Sequence, residues 1–242
     1  MLKLILLIIF VIIFAVLMLP VFILWLFIRD KGNHLVHRIT QFMMRNAAKA
    51  YMFICGIKIT AEGIENIPDG QALYVSNHTG IFDVAAAYAC TKPLLSFIGK
   101  KEAKGIPVIG QVMAMMNGLF LDRDDLKQGL QVILKAIDNI KNGLNVWVCP
   151  EGTREKSGAP EELLPFHAGC FKIALKSDAP IVPVVIIGSR ALFEEHKPWI
   201  SSGRLKIRYG KPVYPKELTD EERRHIGEYF RNKMIEMIKE DK

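Results

Sequence analysis

Residues 72–90 read ALYVSNHTGIFDVAAAYAC. The run Ala72–Ser76 is short, apolar and rich in strand formers, as a buried strand is. Asn77, Thr79 and Gly80 are turn and N-cap residues, and Ile81–Ala89 carries a helical pattern. A strand that turns directly into a helix is the building unit of an α/β sheet.

The same alternation extends along the chain. Further strand-like runs lie at Ile57–Ala61, Leu94–Ile98, Gly118–Leu121, Leu144–Cys149, Ile181–Ile187 and Leu205–Tyr209. Helical patterns fall at Val108–Met116, Asp124–Asn142 and His167–Lys176, and an amphipathic helix runs from Thr219, its expected N-cap, to Lys239. The expected fold is α/β, a mixed central sheet flanked by helices. No internal repeat or low-complexity linker interrupts it. Residues 56–242 are long enough for one compact domain. Gly152–Pro165 reads as a long loop, the kind of segment that borders ligand sites.

In open α/β sheets ligands gather beyond the carboxyl ends of the strands. His78, Lys100, Arg123 and the pair Glu151/Arg154 each follow an expected strand, so these polar groups are expected on one edge. His78 and Asp83 stand five positions apart. On a regular helix that spacing puts them on different faces, so His78 belongs in the turn and Asp83 in the first helical turns, reaching back. A histidine titrates near neutrality and suits the removal of a proton from an alcohol. A carboxylate on its other ring nitrogen fixes the tautomer and stabilises the imidazolium. The spacing alone is weak, because Asp83 equally suits the helix dipole.

Pro150–Arg154, PEGTR, is rarer: EGTR is expected on the order of 0.003 times in a chain of this length at average composition. An arginine at a strand end forks well onto phosphate, and Gly152 lets backbone approach a ligand. Arg123, at the end of GLFLDR (Gly118–Arg123), is presented in the same way, though a surface arginine explains it alone. In IVPVVI (Ile181–Ile186), Pro183 suggests a strand start or a sheet edge.

Leu4–Ile28 is an unbroken apolar run. As a helix it is about 37 Å long, enough for a bilayer core of about 30 Å. It is too long for a signal-peptide core, and no small-x-small cleavage site follows. Pro20 permits a kink, so spanning the bilayer and dipping into one leaflet both stay open. His34–Cys55 follows as an amphipathic interfacial helix, apolar at Leu35, Ile39, Phe42, Met43, Tyr51 and Phe53. Residues 1–55 carry six Lys/Arg against the single acid Asp30, whereas the remainder is nearly balanced. Arg29, Lys31, Arg38, Arg45 and Lys49 outweigh Lys3, which orients the body to the cytoplasm and suggests anionic headgroups as partners. Nucleic acid is not expected, because the body has no basic stripe interleaved with aromatics. Cys55, Cys90, Cys149 and Cys170 fit neither a zinc cluster nor a disulfide framework and read as reduced thiols.

In this order NHTGIFD (Asn77–Asp83), GLFLDR, PEGTR and IVPVVI resemble the four motifs of the glycerolipid acyltransferase family. IGKKEAKGIPVIG (Ile98–Gly110) is similar to the family's basic stretch between the first two. The resemblance covers roughly residues 56–215, and the N-terminal helix and length resemble the family's bacterial 1-acyl-sn-glycerol-3-phosphate acyltransferases. Cys149 stands where many members have phenylalanine, and Ala103 where leucine is common.

The resemblance implies acyl transfer from acyl-CoA or acyl-carrier protein to the sn-2 hydroxyl of lysophosphatidic acid, giving phosphatidic acid. It implies His78 as general base and Asp83 as its orienting partner. Arg123, Glu151, Gly152 and Arg154 then help hold the glycerol phosphate, joined by Lys100; Asn77 and Thr153 are further substrate-binding residues, and Pro183 belongs to a strand shaping the acyl-donor side. It implies direct attack on the thioester, with no acyl-enzyme, metal or further cofactor. Membrane lipids are the remaining partners. Alternatives are another lysophospholipid or lyso-aminolipid acceptor, and a non-catalytic membrane sensor of anionic lipids. A metal-dependent phosphatase is less consistent, for want of a tight ligand cluster.

Overall fold

A computed structural model describes residues 2–28, 34–154 and 163–240. Two helices come first, α1 (Leu2–Ile28) and α2 (Leu35–Cys55). Seven strands follow in one sheet: β1 (Ile57–Glu62), β2 (Leu73–Ser76), β3 (Leu95–Lys100), β4 (Leu119–Leu121), β5 (Asn145–Val148), β6 (Ile181–Ile187) and β7 (Gly203–Tyr209). The helices between and after them are α3 (Phe82–Cys90), α4 (Ile109–Met115), α5 (Leu126–Lys141), α6 (Lys172–Ser177), α7 (Ser189–Phe193), α8 (Asp220–Arg224) and α9 (Ile226–Lys239).

The sheet order is β1-β7-β6-β2-β5-β3-β4. Strands β6, β2, β5, β3 and β4 run parallel, β7 is antiparallel to β6, and β1 is parallel to β7. The sheet is therefore mixed, and β2 is flanked on both sides by parallel neighbours.

Alternation along the strands divides the core. Tyr74, Phe97 and Trp147 point to the α1–α4 side, where the Tyr74 and Trp147 rings stack at 5.3 Å. Leu73, Val75, Val146 and Val148 point to α5, α6 and α9, where Phe171 stacks on Phe230 at 5.2 Å. Each of these large buried side chains contributes about 1.5–3 kcal/mol.

The α1 segment Ile5–Ile28 is long and apolar enough to cross a membrane, with Pro20 inside the helix. It packs on α2, and Leu7, Met18, Val36 and Met52 join the same core as Tyr74 and Trp147. Cys55 and Ile57, on either side of the change of character at residues 55 and 56, belong to that core as well. The inward face of α2 is partly polar, unlike a simple interfacial helix. His37 Nε2 donates to the Leu95 carbonyl at 3.0 Å, and Gln41 accepts from the Leu95 amide at 2.7 Å. The chain entering β3 has buried backbone groups that need partners, and these side chains supply them. Leu35, Phe42 and Phe53 stay exposed.

Three local expectations are corrected. The C-terminal helix is broken at His225, whose φ of −108° and ψ of 30° separate α8 from α9; Thr219 caps α8 through Glu222. Residues 168–171 form a 3-10 turn ahead of α6. Pro183 lies within an interior strand rather than at a start or edge. Its carbonyl accepts from Gly210 just beyond the last β6–β7 pair, Val184 with Tyr209, so its missing donor falls where that ladder has ended. The short α7 had no clear pattern in sequence. Arg29, Lys31 and part of the loop after PEGTR, residues 155–162, lie outside the described residues.

Candidate active site

The turn after β2 is built around two side chains. Asn77 is buried and bridges to β6: its Nδ2 donates to the Ile186 carbonyl at 2.9 Å and its Oδ1 accepts from the Ile186 amide at 2.8 Å. It locks β2 to β6 at the point where the chain leaves the sheet. Asp83, in the first turn of α3, caps that turn. Its Oδ2 accepts from the Thr79 amide at 2.8 Å, the Gly80 amide at 2.9 Å and His78 Nδ1 at 2.8 Å. The acid is 3% exposed and the imidazole 22%. With Nδ1 held by a carboxylate, Nε2 is the nitrogen left on the ring's opposite edge. That nitrogen carries the lone pair when Nδ1 keeps its proton.

PEGTR follows β5, the parallel neighbour of β2. Sequence reading groups Glu151 with the headgroup ligands; the structure gives it a different place. Glu151 is buried, with Oε1 accepting from the His78 amide at 2.8 Å and Oε2 from the Leu164 amide at 3.0 Å. A buried carboxylate spanned by two amides is a strut, and repulsion makes it a poor phosphate ligand. Gly152 has φ of +70°, favourable for glycine, and a side chain there would sit 3.3 Å from the His167 ring and 3.5 Å from Arg123 Cζ. Thr153 is half-buried. Arg154 Nη1 lies 3.4 Å from Glu194 Oε1, the oxygen that accepts the Ile81 amide at 2.9 Å.

The third part of the edge comes from β3 and β4. Lys100 ends β3 opposite Leu121, and Arg123 follows β4. With Lys101, Glu102, Leu121, Asp122 and Asp124 they line a cleft of about 200 Å³. Lys101 donates to Asp122 at 2.8 Å, while Lys100 and Arg123 are exposed. His78, Arg154, Lys100 and Arg123 thus occupy the same sheet edge, at the ends of four parallel strands. Pro183 is buried within the sheet, paired with Val75.

Two residues at this edge escaped sequence reading, His167 and Glu194. His167 reads in sequence only as the start of a helical pattern after the Gly152–Pro165 loop, and nothing in its flanks marks it for the site. Glu194 follows a helix too short to show periodicity. Cys149 follows β5 and lies beside Ser76 Oγ at 3.4 Å, and desolvation pushes its thiol up to about 12. Among the described residues no group of three His, Cys, Asp or Glu side chains is placed to hold a metal ion.

An imidazole aligned by a buried carboxylate, with cations along the same edge, is equipped to deprotonate an alcohol on an anionic molecule. Comparison with known proteins agrees in kind. A family model described as Acyltransferase matches residues 58–187. A 1-acyl-sn-glycerol-3-phosphate acyltransferase of Saccharomyces cerevisiae is 28% identical over 209 residues, 86% of this chain and 68% of the relative. One from Escherichia coli K12 is 27% identical over 176 residues, 71% of this chain and 70% of its own length. A chloroplastic one from Brassica napus is 33% identical over 177 residues, and the match spans only half of that longer protein. The crystal structure of the 1-acyl-sn-glycerophosphate acyltransferase of Thermotoga maritima shares the fold, with a TM-score of 0.73, 24% identity, and coverage of 94% of this chain and 93% of that one. With more than half of its residues matched by the family model, this chain belongs to the acyltransferase family.

Proposed function

We propose that this protein transfers a fatty acyl group from acyl-CoA or acyl-carrier protein to the sn-2 hydroxyl of 1-acyl-sn-glycerol-3-phosphate, giving phosphatidic acid. The observation that carries the reading is the 2.8 Å contact of His78 Nδ1 with Asp83, set on the edge that also bears Arg123 and Arg154. Both substrates are anionic, and relatives with this activity in their names match most of the chain.

In this reading Lys100, Arg123 and Arg154 hold the phosphate, with the Gly152 backbone and Thr153 closing around it. Asn77, Glu151 and Pro183 act through the backbone they position. His78 Nε2 takes the proton as the sn-2 oxygen attacks the thioester carbonyl. A tetrahedral intermediate forms, the C–S bond breaks, and the imidazolium returns its proton to the leaving thiolate. Asp83 stabilises the imidazolium in between, and the base contributes roughly 10²–10⁴ in rate. No acyl-enzyme is needed, and the raised Cys149 thiol is unsuited to form one.

The lysolipid enters from the bilayer. Ile81 and Val84 at the start of α3, and Ile106 and Ile109 just before and at the start of α4, are exposed apolar residues, and both helices pack against α2. The apolar α1 is the anchor in this account, and the basic excess of residues 1–55 sets the body on the cytoplasmic side, where the thioester is supplied.

The test is purified protein in mixed micelles with lysophosphatidate and labelled oleoyl-CoA, beside His78→Ala. Labelled phosphatidate from the wild type and a loss of at least about 10²-fold in the variant are expected. No product from wild type, or undiminished product from the variant, refutes the reading.

A further inference from the structure

Glu194 is a buried acid whose side chain is 7% exposed, at the end of α7. Taking a carboxylate out of water is costly unless its oxygens find donors. Glu151 meets that condition with a backbone amide on each oxygen, whereas Asp83 gathers its three donors on Oδ2. Glu194 meets it on one oxygen only. Its Oε1 accepts the Ile81 amide at 2.9 Å and lies 3.4 Å from Arg154 Nη1. Its Oε2 is buried without a hydrogen-bond partner among the described residues, as is Ser189 Oγ.

Both of those atoms crowd the His78 turn. A side chain at Gly80 would come within 2.4 Å of Ser189 Oγ and 2.7 Å of Glu194 Oε2, so glycine there admits the close approach of α7. A half-satisfied buried acid is a poor choice for stability alone. Its position is what distinguishes it: one oxygen joins the turn that carries His78 and Asp83 to the guanidinium that ends PEGTR. The contact with Arg154 uses one terminal nitrogen, which leaves the guanidinium's remaining donors for an anion.

We infer that Glu194 is a positioning residue, holding Arg154 at a set distance from the His78 turn so that an anchored headgroup presents its hydroxyl to the imidazole. The inference rests on Arg154 gripping the acceptor phosphate, as proposed above. Glu194 touches no substrate in this account. It acts through Arg154 by charge and through Ile81 by a hydrogen bond, and the two effects are separable.

Glu194→Gln keeps an acceptor for the Ile81 amide and removes the charge that holds Arg154. KM for lysophosphatidate is expected to rise about fivefold, the size typical of a part-exposed ion pair, with kcat within about twofold. Glu194→Ala removes both contacts, so kcat falls as well. In an Arg154→Gln background, Glu194→Gln is expected to have no further effect on KM. An unchanged KM in Glu194→Gln, or full additivity in the double variant, overturns the inference.

A second readout does not depend on the acceptor's identity. Phenylglyoxal labelling of Arg154, followed by peptide mass spectrometry, is expected to be faster in Glu194→Gln than in wild type. Equal labelling rates overturn the inference. Faster labelling in a protein that does not turn over lysophosphatidate supports the Glu194–Arg154 link and places the failure in the choice of acceptor.

Discussion

Glu151 Oε1 and the backbone nitrogen of His78 lie 2.8 Å apart although 73 residues separate them in the chain. The acid of PEGTR therefore holds the main chain from which the candidate base projects. Its other oxygen holds Leu164 at the far end of the PEGTR loop. Glutamine has one carbonyl oxygen and would set an NH₂ against an amide N–H. Glu151→Gln is expected to destabilise the protein by about 1–3 kcal/mol, the cost of a buried donor left unpaired. It should also lower kcat by about tenfold or more through displacement of His78. Melting curves in detergent and steady-state rates check the two effects; a variant with normal kcat would show that Glu151 does not position the base.

Asp83→Asn separates alignment from anchoring. One carboxylate oxygen takes three donors, two of them backbone amides that shape the turn. An asparagine oxygen can keep those amides, but it cannot stabilise an imidazolium as an anion does. The expected result is a fall in kcat of roughly 10²–10⁴ with KM for the acceptor within about threefold. A large change in KM with kcat preserved would assign Asp83 to binding instead.

Cys149 offers a test of direct attack. Desolvation pushes its thiol up to about 12, so at pH 7.5 it is almost entirely protonated and a poor nucleophile. Cys149→Ala is expected to keep activity within about threefold, the margin of a modest packing change. Iodoacetamide at neutral pH should leave the wild type active. Inactivation that tracks alkylation of Cys149 would point to an acyl-enzyme.

His37 gives a pH dependence of stability. Burial, opposed in part by its hydrogen bond to Leu95, lowers its pKa from 6.5 to about 4. The unfolded chain then binds a proton between those values that the folded protein does not. Its contribution is constant above about pH 6.5 and is lost as pH falls toward about 4. At about 1.4 kcal/mol per unit, the ceiling is on the order of 3 kcal/mol. Melting temperature should drop between pH 7 and pH 4.5 in the wild type and drop less in His37→Gln, whose amide cannot take up the proton. Parallel pH profiles for the two proteins would remove His37 as the cause.

All seven strands were legible, β2, β5 and β6 as short, fully buried runs and β1 and β7 by apolar residues at alternate positions. Where two neighbours flank a strand on the sheet and helices cover both faces, apolar character is required at nearly every position. The apolar α1 was legible for a similar reason: unbroken length is its signal. Residues that work in pairs were less so. Five-residue spacing suggested that His78 and Asp83 meet, and they do, because the turn at Thr79 and Gly80 folds back on the acid. The inward polar face of α2 was hidden, since its partners are backbone groups at the entrance to β3, more than fifty residues away.

By itself, then, the sequence determined the α/β class, the long apolar N-terminal helix, and which polar residues stand at strand ends, because those properties reside in local pattern. Only the tertiary structure decided how the ends combine: Glu151 as a strut beneath His78, Glu194 beside Arg154, Gly152 against His167 and Arg123. Strand order controls these contacts. Placing β5 between β2 and β3 brings distant loops together, and no local spacing encodes which loops those are.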